Sequence, residues 1–231
     1  MTKKVAVITG AGSGLGASLG LKYSHKGYNV CLLGRTKEKL KQVGKELPNH
    51  YKVYGLDISK YEEVQKVFQT IIGDFGQVDL LINNAGVGYF KQAEDLSKKE
   101  VHQMIDINLK GTIFCTQAIL PLMKEKDQGT IANIISTAGL EGKTTETVYC
   151  ASKFGVRGFT ESLALEVEGS NIHVFAAYMG GMKTSFWDGI YETEEMSHLM
   201  HPDDIADIII NNLHSRKRLT VSEVTIRNKP Y

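Results

Sequence analysis

The chain alternates short runs of apolar residues with longer segments in which apolar and polar residues recur at helical spacing. The first run, Val5-Ala6-Val7-Ile8, has no polar position, as a strand buried on both faces requires. Such strands, separated by helices, predict an α/β fold with one doubly wound parallel sheet of about seven strands and helices on both faces. Later strands are predicted at residues 29–33, 52–56, 78–83, 129–136, 171–178 and 221–226, and the first helix at residues 15–26.

Composition supports a single folded domain over residues 1–231. A chain of 231 residues, 42% of them hydrophobic, can fill one core of the larger single-domain size. The formal net charge of +1 predicts binding neither to nucleic acid nor to an anionic membrane surface. The local basic stretch Lys37, Lys39, Lys41 and Lys45 is interpreted as the solvated face of a helix.

The sequence lacks the features of a secreted, disulfide-bonded or metal-binding protein. No apolar run approaches the roughly 20 residues of a membrane span, and no secretory segment precedes the first strand, so a cytoplasmic location is expected. Cys31, Cys115 and Cys150 are odd in number and widely spaced, which indicates reduced thiols. His198 and His201 have no other ligand types beside them, so no metal site is predicted.

The first strand runs into a glycine-rich turn, Thr9-Gly10-Ala11-Gly12-Ser13-Gly14-Leu15-Gly16. Glycines between a strand and a helix let the backbone approach a pyrophosphate, which then binds the free N–H groups of the helix. Gly10, Gly14 and Gly16 follow the spacing G-x-x-x-G-x-G, which departs from the common dinucleotide fingerprint G-x-G-x-x-G. On its own, the turn is equally compatible with a plain connection between two elements.

Tyr149 and Lys153 lie four residues apart in a segment of helical composition, which places a phenol and an ammonium on one helix face. A free tyrosine has a pKa of about 10, and a fixed cation nearby favours the phenolate. Such a pair can act as an acid–base catalyst, although pairs with this spacing also occur on solvated helix edges. The surrounding motifs favour the catalytic interpretation.

The order of the motifs carries a family resemblance. The glycine turn is followed by Asn83-Asn84-Ala85-Gly86, then by Asn108, Ser136 and the pair Tyr149 and Lys153. Ser136 stands thirteen positions before Tyr149. In this order and spacing, and over nearly its whole length, the chain resembles the short-chain dehydrogenase/reductase family. The resemblance implies a Rossmann fold, a nicotinamide cofactor, and hydride transfer between that cofactor and a carbonyl or alcohol substrate.

The resemblance also implies a role for each residue of the catalytic set. Tyr149 is the general acid and base, and Lys153 lowers the pKa of Tyr149 and hydrogen-bonds the nicotinamide ribose. Ser136 polarises and orients the carbonyl, and Asn108 helps to hold a proton-relay water. From the residues alone, Asn108 is equally an asparagine that bends its helix or satisfies the backbone. A nucleophilic role for Ser136 is not supported, because no G-x-S-x-G elbow surrounds it.

The end of the second strand indicates which nicotinamide cofactor binds. The acidic residue that would bind the ribose 2′-hydroxyl is missing, because Gly34 stands at its place and Arg35 follows. A guanidinium suits a 2′-phosphate, so NADP(H) is favoured over NAD(H), unless Arg35 and Lys37 merely begin a solvated helix. The cofactor contacts that the resemblance implies are Gly10, Ser13, Gly14, Leu15, Gly16, Arg35, Asp57, Ile58, Asn83, Ala85, Gly86, Tyr149, Lys153, Met182 and Thr184.

Two further loops are expected at the site. After the sixth strand, Met179 stands where the family usually has a proline, which frees φ and restores an N–H, so a less rigid or differently bonded loop is expected. Met182 and Thr184 still match the positions that bind the nicotinamide carboxamide. Gly142-Lys143-Thr144 is interpreted as a substrate-side loop, because a P-loop would need glycine at the position of Thr137.

Residues 185–200 are expected to form a lid over the substrate. Phe186 and Trp187, with other apolar residues set between acidic ones, give this segment an amphipathic composition. Ordinary core packing of the same side chains is the alternative. By resemblance, further apolar walls of the substrate site are Tyr89, Phe90, Leu140 and Tyr178.

The predicted function is NADP(H)-dependent reduction of a carbonyl group, or the reverse oxidation of an alcohol, on a small and fairly apolar substrate. The absence of a glycine-rich ending weakens an assignment as an acyl-carrier-protein reductase. An NAD(H)-dependent alcohol dehydrogenase and a non-catalytic NADP(H)-sensing regulator are the alternatives. Residues 101–124 and 148–168 match helices through which relatives dimerise, so a homodimer or homotetramer is expected.

Overall fold

One parallel sheet forms the centre of the structure, a computed structural model that describes residues 3–188, 195–213 and 219–229. Its strands are β1 Val5–Thr9, β2 Asn29–Gly34, β3 Tyr51–Gly55, β4 Leu80–Asn83, β5 Gly129–Ile134, β6 Ile172–Met179 and β7 Glu223–Ile226. They pair in the order β3-β2-β1-β4-β5-β6-β7, and every pairing is parallel. The predicted doubly wound α/β sheet is therefore confirmed.

Helices cover both faces of this sheet. They are α1 Gly14–His25, α2 Lys37–Glu46, α3 Tyr61–Phe75, α4 Lys98–Met104, α5 Gly111–Lys126, α6 Thr147–Glu166 and α7 Pro202–Asn212. Helices α1, α2 and α7 contribute to the core on one face, and α3, α5 and α6 to the core on the other. Among the described residues, no helix combines the length and the apolar character that crossing a lipid bilayer requires.

The apolar first run of the sequence is explained by burial on both faces of the sheet. In β1, Ala6 and Ile8 pack into one core, while Val5 and Val7 pack into the other. All four side chains are at most 1% exposed. Because successive side chains of a strand point to opposite faces, a strand covered by helices on both sides has no position at which a side chain faces water, so apolar residues predominate in it.

Several strand boundaries differ from the sequence prediction by one or two residues. Strand β5 ends at Ile134, and Ser136 follows in extended backbone as the cap of a short 3₁₀ turn, Thr137–Gly139. The Ser136 hydroxyl accepts a hydrogen bond from the Ala138 N–H at 3.1 Å. Strand β6 continues to Met179, which pairs with Ile226 of β7.

The helix predicted over residues 101–124 is interrupted by a π-helical segment. Helix α4 ends at Met104, the wider segment Ile105–Lys110 follows, and α5 begins at Gly111. Asn108 lies within the π-helical segment and is 1% exposed. Insertions of this kind occur frequently at functional sites, because they alter the hydrogen-bond pattern and aim a side chain or carbonyl away from the regular helix.

Candidate active site

A cavity of about 500 Å³ opens at the carboxyl ends of the strands. It lies where the chain leaves β1 to build strands on one side of the sheet and later returns to add β4 on the other side. Open α/β sheets bind ligands at this kind of switch point, because two neighbouring loops diverge there and leave a crevice. The cavity is lined by the glycine turn, the residues after β2, β3 and β4, the start of α6 and residues 179–187.

The glycine turn packs so closely against the residues after β4, and against its own backbone, that larger side chains would not fit. Gly10 has φ +65°, and a Cβ placed on it would lie 2.8 Å from the Ala85 Cα. A Cβ on Gly16 would lie 2.4 Å from the Gly10 carbonyl oxygen. The turn therefore brings the N-terminus of α1 to the cavity with bare backbone, which fits the pyrophosphate of a dinucleotide. Gly10, Ser13, Gly14 and Leu15 line the cavity, whereas Gly16 lies behind the turn.

Asn84 holds this turn in place, a role that the sequence analysis did not assign. Its side-chain amide donates to the Thr9 carbonyl oxygen at 3.0 Å and to the Gly10 carbonyl oxygen at 3.3 Å. The Thr9 hydroxyl accepts hydrogen bonds from the backbone N–H groups of Asn84 and Ala85, both at 3.0 Å. Asn84 itself lines the cavity, together with Ala85 and Gly86.

The structure does not place Asn83 at the cavity, in contrast to its expected cofactor contact. Asn83 is 4% exposed and points into the layer between sheet and helices. Its amide donates to the Thr116 hydroxyl at 3.1 Å and to the Asn133 side-chain oxygen at 2.9 Å. The physical reason is the alternation of the strand, which turns the last residue of β4 away from the crevice and the next one into it.

The residues that follow β2 give one end of the cavity a basic border. Arg35, Thr36 and Lys39 line it. Lys39 was grouped with the solvated lysines in the sequence analysis; it is exposed, as expected, and also borders the cavity. A Cβ placed on Gly12 would lie 3.2 Å from the Lys39 Cβ, so the stem of this lysine lies against the glycine turn. The periodicity of α2 could not identify this position of Lys39, because the contact joins α2 to a turn more than twenty residues earlier in the chain.

Asp57 and Ile58 lie beside this basic border and also line the cavity. The Asp57 carboxylate accepts hydrogen bonds from the Ser59 backbone N–H at 3.0 Å and from the Ser59 hydroxyl at 2.7 Å. Ile58 is 6% exposed. These contacts fix the chain after β3 where the resemblance expects the adenine ring to lie.

Tyr149 and Lys153 face the cavity from the first two turns of α6. The Lys153 Nζ lies 5.7 Å from the centroid of the Tyr149 ring and donates to the Ile134 carbonyl oxygen at 3.3 Å. Burial lowers the pKa of Lys153 to about 8. Burial raises the pKa of Tyr149, and hydrogen bonding with Ser136 opposes that rise.

The direction of the Tyr149 shift differs from the sequence expectation that Lys153 lowers it. The largest cause is removal of the phenol from water, which penalises the charged phenolate. Lys153 is desolvated by the same burial, which weakens its own charged form. Tyr149 is therefore a neutral phenol near pH 7, the form that can donate a proton.

Asn108 does not line the cavity, but it fixes two segments that do. Its side-chain oxygen accepts from the Val87 N–H at 2.8 Å, and its amide donates to the Val87 carbonyl oxygen at 2.9 Å and the Ser152 hydroxyl at 3.0 Å. Ser152 in turn donates to the Tyr149 carbonyl oxygen at 2.7 Å. Asn108 thus ties the loop after β4 to the helix that carries Tyr149 and Lys153.

Aromatic side chains cover the Tyr149 end of the cavity. The Phe90 ring centroid lies 5.4 Å from that of Tyr149 and 5.2 Å from that of Trp187, with which it stacks. Phe186 lies 6.1 Å from both Phe90 and Tyr149. Tyr89 also lines the cavity, and its hydroxyl donates to the Gln103 side-chain oxygen at 2.6 Å.

Two expected substrate residues, Leu140 and Tyr178, do not line this cavity. Tyr178 is 0% exposed and belongs to a small core cluster with Ile135, Val156 and Ala176. Leu140 packs against the same cluster. In β6, Ala177 and Met179 face one core, so the alternation of the strand turns Tyr178 to the opposite face.

The loop after β6 closes the cavity opposite the glycine turn. Met179, Met182 and Thr184 line it, and a Cβ placed on Gly14 would lie 3.0 Å from the Thr184 Cγ2. Met182 forms a parallel bridge with Met200. Met179, at the position of the missing proline, is the last residue of β6, and the following N–H, that of Gly180, donates to the Ile226 carbonyl oxygen at 2.9 Å.

The expected lid is described only in part. Residues 185–187 form a short 3₁₀ helix, and the Thr184 side chain caps it by accepting from the Phe186 N–H. The Trp187 indole N–H donates to the Met182 carbonyl oxygen at 2.9 Å. Residues 189–194 of the lid lie outside the described residues.

Two further charged side chains line the cavity: Lys143, which belongs to the loop expected on the substrate side, and Glu146, which was not assigned to the site from the sequence. Lys143 donates from its Nζ to the Thr137 hydroxyl at 2.8 Å. Glu146 occupies the cap position of α6, three residues before Tyr149, and its side chain caps no backbone group. Burial raises the pKa of Glu146, and the nearby Lys143 charge opposes that rise.

Comparisons with known proteins show the family to which the chain belongs. Residues 4–195 match the short chain dehydrogenase family. An uncharacterized oxidoreductase of Staphylococcus aureus strain USA300 is 35% identical over 228 residues, which cover 98% of each chain. The chain therefore belongs to the short-chain dehydrogenase/reductase family and is an oxidoreductase of that type.

Solved structures of family members superpose over nearly the whole chain. A metagenomic short-chain oxidoreductase in complex with NADP is 29% identical, with a TM-score of 0.87 over 100% of this chain and 99% of that one. An alcohol dehydrogenase from the archaeon Thermococcus sibiricus, complexed with 5-hydroxy-NADP, is 28% identical, with a TM-score of 0.91 over 99% of both chains. These similarities support a nicotinamide cofactor in the cavity.

Proposed function

We propose that this protein is an NADP(H)-dependent carbonyl reductase or alcohol dehydrogenase. The observation that carries the proposal is the meeting of Ser136, Tyr149 and Lys153 on one cavity wall, opposite a bare glycine turn that fits a dinucleotide. We propose the reaction type on the basis of family membership. We propose the residues that perform it on the basis of their positions in the cavity.

The chain's own residues have separate tasks in this reaction. Bound NADPH supplies the hydride that reduces the carbonyl carbon. Ser136 donates a hydrogen bond to the carbonyl oxygen and orients it toward Tyr149. Tyr149, a neutral phenol at the start of the reaction, gives its proton to that oxygen, and the reverse reaction returns the proton to the phenolate. Lys153 stabilises that phenolate by its positive charge and hydrogen-bonds the nicotinamide ribose.

Asn108 acts on this reaction from behind the cavity wall. Its side chain holds Val87 and Ser152, so the loop after β4 and the start of α6 keep their spacing. In the family, the matching asparagine helps to hold a proton-relay water. We assign Asn108 the same role here. Its side chain would keep the backbone around that water in place through its bonds to Val87 and Ser152.

The preference for NADP(H) rests on the basic border of the cavity. Arg35 and Lys39 place two cations beside the end of β2, where no carboxylate stands to bind a ribose 2′-hydroxyl. Carboxylates there favour NAD(H), whereas paired cations favour the 2′-phosphate of NADP(H). The similar metagenomic enzyme is complexed with NADP and the Thermococcus sibiricus enzyme with 5-hydroxy-NADP, which supports the same choice.

The substrate end of the cavity is mainly aromatic, and the segment after Thr184 closes it. Phe90 and Phe186 lie beside the Tyr149 ring, and Trp187 stacks on Phe90, which suits a carbonyl compound with an apolar portion. Residues 185–200 form the lid in this proposal. Helices α5 and α6 form the interface of a homodimer or homotetramer; Phe154 and Leu165 of α6 are 42% and 72% exposed.

Transfer of deuterium tests the proposed reaction. NADPH deuterated at the transferring position of the nicotinamide is incubated with the protein and a panel of aldehydes, ketones, quinones and β-ketoesters. The expected result is an alcohol that carries deuterium on the former carbonyl carbon, formed faster with NADPH than with NADH. Tight NADPH binding with no deuterated product across the panel would contradict the proposal and favour the sensing regulator.

A further inference from the structure

The carboxylate of Glu146 faces the substrate end of the cavity without a protein partner. Glu146 is half-buried, and within the described chain its carboxylate makes no hydrogen bond and no ion pair. The nearest opposite charge is Lys143, whose Nζ is directed to the Thr137 hydroxyl at 2.8 Å. A partly desolvated carboxylate is stabilised when a donor group reaches it, because it has lost part of its hydration.

The position of Glu146 relates it to the reacting group. It stands one helical turn before Tyr149 on the same wall, and residues three apart on a helix have Cβ atoms about 5–6 Å from each other. Its charge is close enough to raise the pKa of Tyr149 slightly, after the larger effect of burial. A substrate whose carbonyl oxygen meets Ser136 and Tyr149 therefore has other atoms beside Glu146.

We infer that Glu146 selects carbonyl substrates carrying a second polar group, a hydroxyl or an ammonium, that donates a hydrogen bond to its carboxylate. This inference rests on the proposed reductase function. It assigns the aromatic side chains to the apolar part of the substrate and Glu146 to the polar part. Glu146 is thus a specificity residue, and the transfer of hydride and proton does not involve it.

Matched ketones test the inference. One pair is a hydroxyketone and its methyl ether; the other is an aminoketone and its trimethylammonium analogue, which keeps the charge but has no N–H. Hydrogen bonds to a charged group change binding by roughly tenfold or more, so wild-type kcat/KM is expected to favour the donor-bearing member of at least one pair by that factor. The pair with the preference identifies hydroxyl or ammonium as the partner.

The variants Glu146→Ala and Glu146→Gln separate recognition from folding and from chemistry. In Glu146→Ala, the kcat/KM values of the two members of each pair are expected to lie within about threefold of each other, mainly through a change in KM. Glu146→Gln is expected to give an intermediate preference. Each preference is a ratio of two kcat/KM values within one variant, so any general change in turnover, measured with an unsubstituted ketone, cancels from the comparison. Glu141→Gln is the matched control, because Glu141 is an exposed carboxylate paired with Arg227 outside the cavity.

The outcomes distinguish this inference from the proposed function. Equal wild-type rates within both pairs, or a preference that survives in Glu146→Ala, would overturn the role of Glu146 while leaving the reductase proposal intact. Absence of turnover for every ketone, including the unsubstituted one, would overturn both.

Discussion

The Asn108 side-chain amide donates a hydrogen bond to the Ser152 hydroxyl at 3.0 Å, across the gap between the π-helical segment and α6. Ser152 lies between Tyr149 and Lys153 in sequence, so this contact fixes the helix turn that carries both. Asn108 lies within the π-helical segment, whose wider turns change the direction of its side chains relative to those of a regular α-helix. The interruption of the helix is therefore part of how the site is built.

Replacing Asn108 by alanine is expected to destabilise the fold as well as slow the reaction. The change removes three hydrogen bonds and leaves partly buried backbone groups of Val87 without partners, which costs about 2–4 kcal/mol. Denaturant unfolding and ketone turnover measure the two effects. Ser152→Ala removes one of the three bonds and also the bond from Ser152 to the Tyr149 carbonyl oxygen, and is expected to cost about 1–2 kcal/mol. An Asn108→Ala protein as stable as wild type would contradict this account.

The pH dependence of stability reports the burial of Lys153. Its pKa falls from 10.5 to about 8 on folding, so the unfolded state binds more protons at this group between these values, and the contribution of Lys153 to stability rises with pH across that window. The raised pKa values of Cys31, Cys115 and Cys150 oppose this trend from about pH 8.5, and that of Tyr149 opposes it above about pH 10. From pH 7.5 to 9.5, the contribution of Lys153 to the free energy of unfolding is expected to rise by about 2 kcal/mol.

Lys153→Met is the control for that measurement. Without a buried ammonium, the variant is expected to be more stable than wild type at pH 7.5, and the difference is expected to shrink by pH 9.5. Urea unfolding at both pH values checks the prediction. An advantage of Lys153→Met over wild type that grows as the pH rises would refute the assigned direction of the Lys153 shift.

Removing the basic border is expected to change cofactor choice. Arg35→Ala and Lys39→Ala should each weaken NADPH binding by roughly tenfold and leave NADH binding nearly unchanged, because NADH has no 2′-phosphate. Fluorescence titration gives both dissociation constants. Lys41→Ala is the matched control on the same helix, since Lys41 is exposed and does not line the cavity. Equal losses for NADPH and NADH would exclude a 2′-phosphate site here.

Asn84→Ala is expected to weaken the binding of NADPH and of NADH to the same extent. The amide of Asn84 holds the carbonyl groups of Thr9 and Gly10, and without it the glycine turn loses its fixed conformation. We expect roughly a tenfold rise in the dissociation constants of NADPH and NADH. Asn171→Ala, which removes an exposed asparagine bonded to Asp127, serves as the control. Unchanged affinities in Asn84→Ala would show that the turn keeps its shape unaided.

The sequence was sufficient to predict the sheet because its strands are buried on both faces. Runs such as Val5-Ala6-Val7-Ile8 can occupy few other environments, and the glycine turn marks where the first strand ends. Because such strands are apolar at every position, the sequence does not show which face of the sheet each side chain points to. Tyr178 and Met179 are both buried, yet only Met179 lines the cavity, and an apolar run contains no alternation that distinguishes them.

Residues whose roles depend on distant partners were also beyond local patterns. Asn84 bonds to Thr9 and Gly10, more than seventy positions earlier, and its neighbour Asn83 bonds to Thr116 and Asn133 instead. The side chains of these two adjacent asparagines point in opposite directions, but in the sequence they form a single motif that does not distinguish them. The interruption at Asn108 was equally hidden, because π-helical and α-helical segments have the same composition.

Tyr149→Phe tests the central claim most directly, because it removes the hydroxyl and leaves the ring that packs against Phe90. A ketone that wild type reduces is supplied with NADPH, and turnover is measured beside the NADPH dissociation constant. General acid catalysis contributes roughly 10²- to 10⁴-fold, so turnover is expected to fall by that factor while the dissociation constant stays within about threefold. Turnover near the wild-type rate in Tyr149→Phe would contradict the assignment of Tyr149 as the proton donor.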